Sequence, residues 1–314
     1  MISGFMIAKD VLKTGYPFVE AIASALPICD EFLISDGYST DGTYETLKKI
    51  SELNNKVKIS RYEWPKSKDI HILTHVTNAL RKKCRYDYIF YVQANEIVHE
   101  DNIRFIKALP KMKPKVNTFS FPYLQLMRNE KYSQEFRLRF SKNLPEIEAT
   151  GDAWTLGMNR TGLYSKAIGC LKNPKRFFYY FGNGIFHVYA NTGTMDLSQS
   201  IYLPKPIFRY WSLFPRNHIE KCKKHRDIFN IKEFNNSISR LEKRVDENPD
   251  SFLKDAAQIA RDSAYLNNMG FGYPKDLASI TVDEHPKIIQ GLISDKSTKV
   301  YQVREEIFDQ IKGL

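Results

Sequence analysis

Apolar positions in the first hundred residues switch between two periods, and the switches divide the chain into elements. Ile2 to Ile7 is a short apolar run that reads as a strand. Phe18, Val19, Ile22, Ala25 and Leu26 then recur at helical spacing behind Pro17, whose fixed φ suits a first helical position, and Pro27 closes the helix. Glu31 to Ser35 returns to a strand. Asp41 stands where an N-cap belongs, ahead of a helix carrying Tyr44, Leu47 and Ile50. Val57 to Tyr62 alternates as a third strand. Ile72, Leu73, Val76, Ala79 and Leu80 repeat the helical stripe, and Tyr88 to Val92 is an unbroken apolar fourth strand. The order β-α-β-α-β-α-β with short connections predicts a parallel sheet with right-handed crossovers, a Rossmann-like half.

Open α/β sheets bind ligands outside the carboxyl ends of their strands. Two such ends carry clustered polar groups. The fourth strand stops in Gln93-Ala94-Asn95-Glu96, and the second in Asp36-Gly37-Tyr38-Ser39-Thr40-Asp41-Gly42-Thr43. The turn after the first strand, Ala8-Lys9-Asp10-Val11, lacks the G-x-G-x-x-G of a dinucleotide fold, and there is no P-loop. A carboxylate such as Asp36 can accept from a base N–H or a ribose hydroxyl; an ordinary β-turn explains Asp36-Gly37 as well.

Val116 to Arg128 and Ser133 to Lys142 read as an antiparallel pair. Phe136, Leu138 and Phe140 alternate with Arg137 and Arg139, so the two arginines share a face, as cations beside a diphosphate or as a solvated surface. Asp152 lies in the turn Thr150-Gly151-Asp152-Ala153-Trp154 and is the candidate general base for an acceptor hydroxyl, with Glu148 and Glu146 as substitutes. A turn aspartate bonded to its own backbone is the plain alternative. His187 ends a further apolar strand, Phe177 to Phe186. From about residue 195 prolines punctuate an aromatic and basic stretch, and helices follow at 218–229 and after Ser251. The expected division is therefore 1–195, a nucleotide-binding and catalytic α/β unit, and 196–314, a mainly helical portion packing on it. Residues 207–226 suit ordinary packing, a peripheral membrane contact to a lipid-linked acceptor, or stacking of Tyr210 and Trp211 on sugar rings.

Composition narrows the partners. The chain is 42% hydrophobic with a formal net charge of +11 and four scattered cysteines. No stretch approaches the ~18 apolar residues of a membrane span, and the expectation is a soluble cytoplasmic protein. The charge suits a phosphate-bearing ligand or a lysine-rich solvated surface. A nucleic-acid-binding module would show steeply salt-dependent binding, but no recognised motif supports it.

Taken together, Ile2-Ser-Gly-Phe-Met-Ile-Ala-Lys-Asp, Gly15-Tyr-Pro-Phe, the Asp36–Thr43 turn, Thr77-Asn78-Ala79-Leu80, Tyr91–Glu100, Glu135–Phe140 with Gly151-Asp152-Ala153, Ile185-Phe-His-Val-Tyr and His285-Pro286 resemble, in order and spacing, family-2-like glycosyltransferases of the GT-A fold. The resemblance implies a Rossmann-like GT-A mixed sheet flanked by helices and transfer of a sugar from a nucleotide-diphosphate sugar to a glycan, lipid-linked or protein acceptor, with inversion. It implies a nucleoside set of Ala8, Lys9, Asp36 and Asn78, and diphosphate contacts from Gln93, Arg137 and Arg139. A Mn2+ or Mg2+ ion would sit on Asn95, Glu96 and His187, and Asp152 would be the base. One position departs from the pattern. Where the family carries Asp-x-Asp or Gln-Ala-Asp, this chain has Gln93-Ala94-Asn95, a neutral ligand in place of a carboxylate. Glu96, Glu100 or Asp101 supplying the charge, a metal carried in on the diphosphate, or catalysis that is weak or metal-independent are the three readings of that change, and a site that binds without turnover is the further alternative.

Overall fold

A computed structural model describes residues 1–65, 71–150, 153–158, 201, 203–229, 234–248, 251–257, 279–295 and 299–314. The expected alternation is present. Strands β1 (Ile2–Ala8), β2 (Glu31–Asp36), β3 (Val57–Arg61) and β4 (Tyr88–Tyr91) are connected by helices α1 (Phe18–Ala25), α2 (Thr43–Leu53) and α3 (Ile72–Arg81). They lie parallel in the order β3-β2-β1-β4, with Ala8 in register with Asp36 and Asp36 with Arg61. Helix α1 is buried along its whole length, so its stripe is covered by the sheet on one side and by the C-terminal residues on the other.

The sheet then turns mixed. The pair β6 (Thr118–Met127) and β7 (Glu130–Lys142) is antiparallel, as the alternating apolar positions predict, and β7 runs antiparallel to β4. The full order is β3-β2-β1-β4-β7-β6-β10-β5, where β5 is Glu96–Ile97 and β10 is Ile207–Ser212. Strand β10 was not foreseen in the helical 196–314 portion; it pairs parallel to β6, so this portion supplies a strand of the main sheet. The reason is legible in its burial: Ile207, Phe208, Tyr210 and Ser212 are buried.

Strands β4 and β5 are neighbours in sequence yet stand four places apart in the sheet. Only residues 92–95 join them, so the strands between must curl round until the far edge returns to the end of β4. That curl encloses a polar interior among otherwise apolar walls. A small pair, β8 (Ile147–Thr150) with β9 (Thr155–Met158), packs beneath α3, where Asn78 donates from Nδ2 to Ala149 O at 3.1 Å and accepts from Ala149 N at 2.7 Å.

Two boundaries differ from the sequence expectation. Helix α1 begins one residue after Pro17, and α2 takes Gly42, at φ 92°, as its N-cap. Asp41 lies one position further out, accepting from Thr43 N at 3.1 Å and Lys13 N at 2.7 Å. After β10 come α5 (Pro215–Phe229) and α6 (Phe234–Glu247), following α4 (Ile103–Met112) earlier in the chain. No helix among the described residues is long and apolar enough to cross a membrane.

Candidate functional site

The loops after β1 and β2 are laced together at the carboxyl edge of the sheet. Asp10 N donates to Ser39 Oγ at 2.9 Å, Thr40 N to Asp10 Oδ1 at 2.8 Å and Val11 N to Thr43 Oγ1 at 3.0 Å. Within this frame Asp36 is fully buried, and both its oxygens accept from Ser39 N. Its Oδ2 also accepts from Arg61 Nε at 3.1 Å. The Arg61 guanidinium lies between two aromatic faces, 4.2 Å from the Tyr38 ring centre and 4.1 Å from that of Tyr44. Tyr38 is held at φ 57° and is 51% exposed. An exposed ring in a strained backbone conformation, stacked on a cation that a buried carboxylate orients, is a flat platform open to solvent. Gly37 allows it: a Cβ there would stand 2.6 Å from Trp64 Nε1 and 2.9 Å from Lys9 Cβ.

Ala8 and Lys9 border this platform, with Lys9 Nζ 5.5 Å from the Trp64 ring centre. Asn78 does not join it, because both polar atoms of its amide are committed to the Ala149 backbone. Sequence reasoning missed Arg61, although its place at the carboxyl end of a strand was the signal that could have found it.

The second polar centre lies inside the curl. Glu96 and Arg139 form a two-pronged ion pair, Oε1 to Nη2 at 2.6 Å and Oε2 to Nε at 2.9 Å, with both side chains 1% exposed. Tyr123 OH donates to the same Oε1, and Gln93 N to Oε2 at 3.2 Å. Burial pushes the Tyr123 phenol well above its usual range, so it remains a donor. One layer nearer the carboxyl edge, Arg137 Nη2 bonds both oxygens of Glu135 at 2.7 Å, and Gln125 bridges Glu135 and Arg209. The two arginines thus share a face as expected, but it is the buried interior rather than an open wall, and each is matched to a carboxylate.

Hydrogen bonds also hold Ala153 and Trp154, the described residues that follow the expected base. Gln93 Nε2 and Tyr91 OH both donate to Ala153 O, at 3.0 and 3.1 Å, and Ala153 N donates to Thr74 Oγ1 at 3.0 Å. Arg139 Nη1 donates to Trp154 O at 2.8 Å. Trp154 is 48% exposed and stacks on Arg137 at 4.9 Å. Asp152 directly precedes Ala153 in sequence; Asp152 and His187 both lie outside the described residues.

The donor set at 95–96 does not fit a divalent cation. Hard cations take carboxylate or carbonyl oxygens with free lone pairs. Four donors already occupy the two oxygens of Glu96. Asn95 is buried, gives its Nδ2 to Tyr210 O at 3.0 Å and retains only a neutral amide oxygen. His99 caps the turn after β5, accepting from Asp101 N at 3.2 Å. Among the described residues no group of three His, Cys, Asp or Glu is placed to hold a metal ion. Tyr210, considered for sugar stacking, is fully buried and bonded to His285 Nδ1 at 2.8 Å.

No protein-family model and no curated protein matches the sequence. Solved structures do. The chain is similar to S. aureus TarS 1–349 in complex with UDP, at 12% identity over 74% of this chain and 65% of that one, with a TM-score of 0.38. It is also similar to the mannosyltransferase PcManGT from Pyrobaculum calidifontis in complex with GDP-Man and Mn2+, at 12% identity over 86% of this chain and 79% of that one, with a TM-score of 0.38. Against TarS 1–349 in complex with UDP-GlcNAc the match spans 35% of that chain, at a TM-score of 0.31. The mixed sheet flanked by helices agrees with the α/β architecture expected from residues 2–100. Likeness this distant adds nothing about chemistry, which rests on the residues above.

Proposed function

We propose that the protein transfers a sugar from a nucleotide-diphosphate donor to an acceptor hydroxyl. The observation that carries this reading is the Asp36–Arg61–Tyr38 platform at the carboxyl edge of β2 and β3, because a nucleoside needs a flat face and a fixed polar edge together. Asp36 and Arg61 orient the base or ribose, and Tyr38 lies under it, with Ala8 and Lys9 alongside. The diphosphate extends across the ends of β1 and β4 toward Gln93 and Asn95.

In the transfer, the acceptor oxygen attacks the anomeric carbon. The bond from that carbon to the β-phosphate oxygen breaks, and its electron pair leaves with the nucleoside diphosphate. Asp152 takes the acceptor proton, in the inverting geometry that one base on the acceptor side serves. Glu96 and Arg139 do not touch substrate in this account. They hold Gln93 N and the Trp154 carbonyl, and so position the turns on either side of the reacting carbon. The exposed Trp154 ring is the surface for a sugar.

The test is calorimetry with a panel of nucleoside diphosphates and nucleotide sugars, on wild type and on Asp36→Asn and Arg61→Met. Binding at micromolar to millimolar levels that both variants weaken supports the reading; no binding of any member to wild type overturns it. A second reading, a sugar-nucleotide-binding protein without turnover, is favoured by the amide at Asn95. It predicts that binding persists while no nucleoside diphosphate is released from any sugar donor.

A further inference from the structure

Helix α5 carries a lysine that the transfer chemistry above does not use. Lys221 is 1% exposed and forms no ion pair with a described carboxylate. Its Nζ donates to Trp211 O at 2.5 Å and lies 3.3 Å from the Trp211 ring centre and 4.8 Å from that of Tyr16. Burial pushes the amine well below the ordinary lysine range, and the nearby charges of Arg209 and Lys224 add to the shift. Two aromatic faces and one carbonyl stabilise an ammonium only in part, so a charge placed here is under-compensated.

The position of the amine is specific. Trp211 follows Tyr210, and Tyr210 exchanges two bonds with Asn95: Tyr210 N donates to Asn95 O at 2.9 Å, and Asn95 Nδ2 donates to Tyr210 O at 3.0 Å. Lys221 Nζ is therefore anchored one residue, about 3.3 Å, along the strand that binds the turn expected to meet the diphosphate. Three residues on, Lys224 donates from Nζ to Lys9 O, at the carboxyl end of β1. Residues i and i+3 share a helix face, so one face of α5 reaches from Lys9 to the Trp211 carbonyl, next to the residue that pairs with Asn95. The helix is pinned there by Asn217, which donates to Lys13 O at 2.9 Å and accepts from Tyr301 N at 2.7 Å.

We propose that Lys221, together with Lys224, binds the diphosphate of the donor and carries the positive charge that the sequence resemblance assigns to a divalent cation. The inference rests on the nucleotide-sugar reading. Lys221 donates to a β-phosphate oxygen, and the negative charge left when the sugar–oxygen bond breaks is met by this ammonium and by Lys224. The Trp211 indole, half-buried over the amine, changes rotamer to admit the phosphate.

The test uses the full chain with UDP, GDP, the matching nucleosides and inorganic pyrophosphate, each with EDTA and with Mn2+. Wild type binds a nucleoside diphosphate in EDTA, and Mn2+ changes its affinity less than about threefold. Lys221→Met loses about 10- to 100-fold in nucleoside diphosphate affinity, the value of a charge-assisted hydrogen bond, while nucleoside affinity and melting temperature are retained. Lys221→Arg recovers part of the loss. Lys224→Gln, on the half-buried neighbour, weakens diphosphate binding in the same sense and guards against misfolding of the buried variant. Diphosphate affinity that requires Mn2+, or that Lys221→Met leaves unchanged, overturns the inference. Pyrophosphate that binds wild type in EDTA, loses affinity in Lys221→Met and is not displaced by any nucleoside diphosphate would keep the anion site and remove the nucleotide reading instead.

Discussion

Glu96 and Arg139 meet through two hydrogen bonds of 2.6 and 2.9 Å, inside a sheet that has curled back on itself. The pair closes the curl, since Glu96 stands on the edge strand β5 and Arg139 on β7. Removing one member of a buried pair leaves the other charge uncompensated, at about 3–5 kcal/mol. Arg139→Met is expected to lower stability by that amount in chemical denaturation, and Glu96→Gln by somewhat less, because an amide still accepts. A metal-ligand role for Glu96 would instead leave stability unchanged and reduce Mn2+ affinity.

Asn95→Asp tests the same turn. Its amide nitrogen is a donor to Tyr210 O, and a carboxylate there would oppose a carbonyl at hydrogen-bond distance. The expected cost is about 1–3 kcal/mol of stability, with no gain in Mn2+ affinity measured by calorimetry. A gain would show that the site accepts a cation once charge is supplied.

The pH dependence of stability follows from three buried groups. Burial lowers His218 and His285 to about 4, so both are neutral when folded, while the unfolded chain protonates near 6.5. Below pH 6.5 the unfolded state binds more protons, and stability falls as pH drops toward 4, by about 3 kcal/mol for each histidine. Glu20 acts oppositely. Burial raises it to about 7 from 4.5, so its contribution is present at low pH and is lost as pH rises through 7. Glu20→Gln removes that opposing slope: its advantage over wild type should grow by about 3 kcal/mol between pH 4.5 and 7. Melting curves at stepped pH read both effects, and a flat difference curve would contradict the assignment.

Much of this fold was legible because period and punctuation agree in residues 1–92. Each helix stripe there meets one sheet face, and each strand is short and apolar. Strand β10 was obscured because Ile207-Phe-Arg-Tyr-Trp is flanked by prolines and followed by a basic helix, and its partner β6 lies some eighty residues away. The site was legible in part. The carboxyl-edge rule reaches Asp36 and the 93–96 turn. Side-chain pairing across a curled sheet is non-local, so the sequence offered no sign that Glu96 belongs to Arg139, or that Lys221 bonds the Trp211 carbonyl. Arg61 sat in plain view at a strand end but reads as an ordinary charged terminus.

In the proposed transfer, Trp154 separates binding from positioning. It is exposed and stacked on Arg137, and its carbonyl rather than its ring is held by Arg139. Trp154→Ala should lower kcat/KM for sugar transfer about tenfold, the scale of one aromatic contact. Nucleoside diphosphate affinity and melting temperature should be unaffected, and Trp154→Phe should restore most activity. Equal losses in nucleoside diphosphate binding would place the ring on the donor instead.

The most direct measurement is the release of nucleoside diphosphate from a panel of nucleotide sugars, in EDTA, by wild type and by Asp36→Asn. The account predicts release from at least one donor by wild type, with KM raised at least tenfold in the variant. Release that is absent for every donor, with or without Mn2+, or that is indifferent to Asp36, would contradict it.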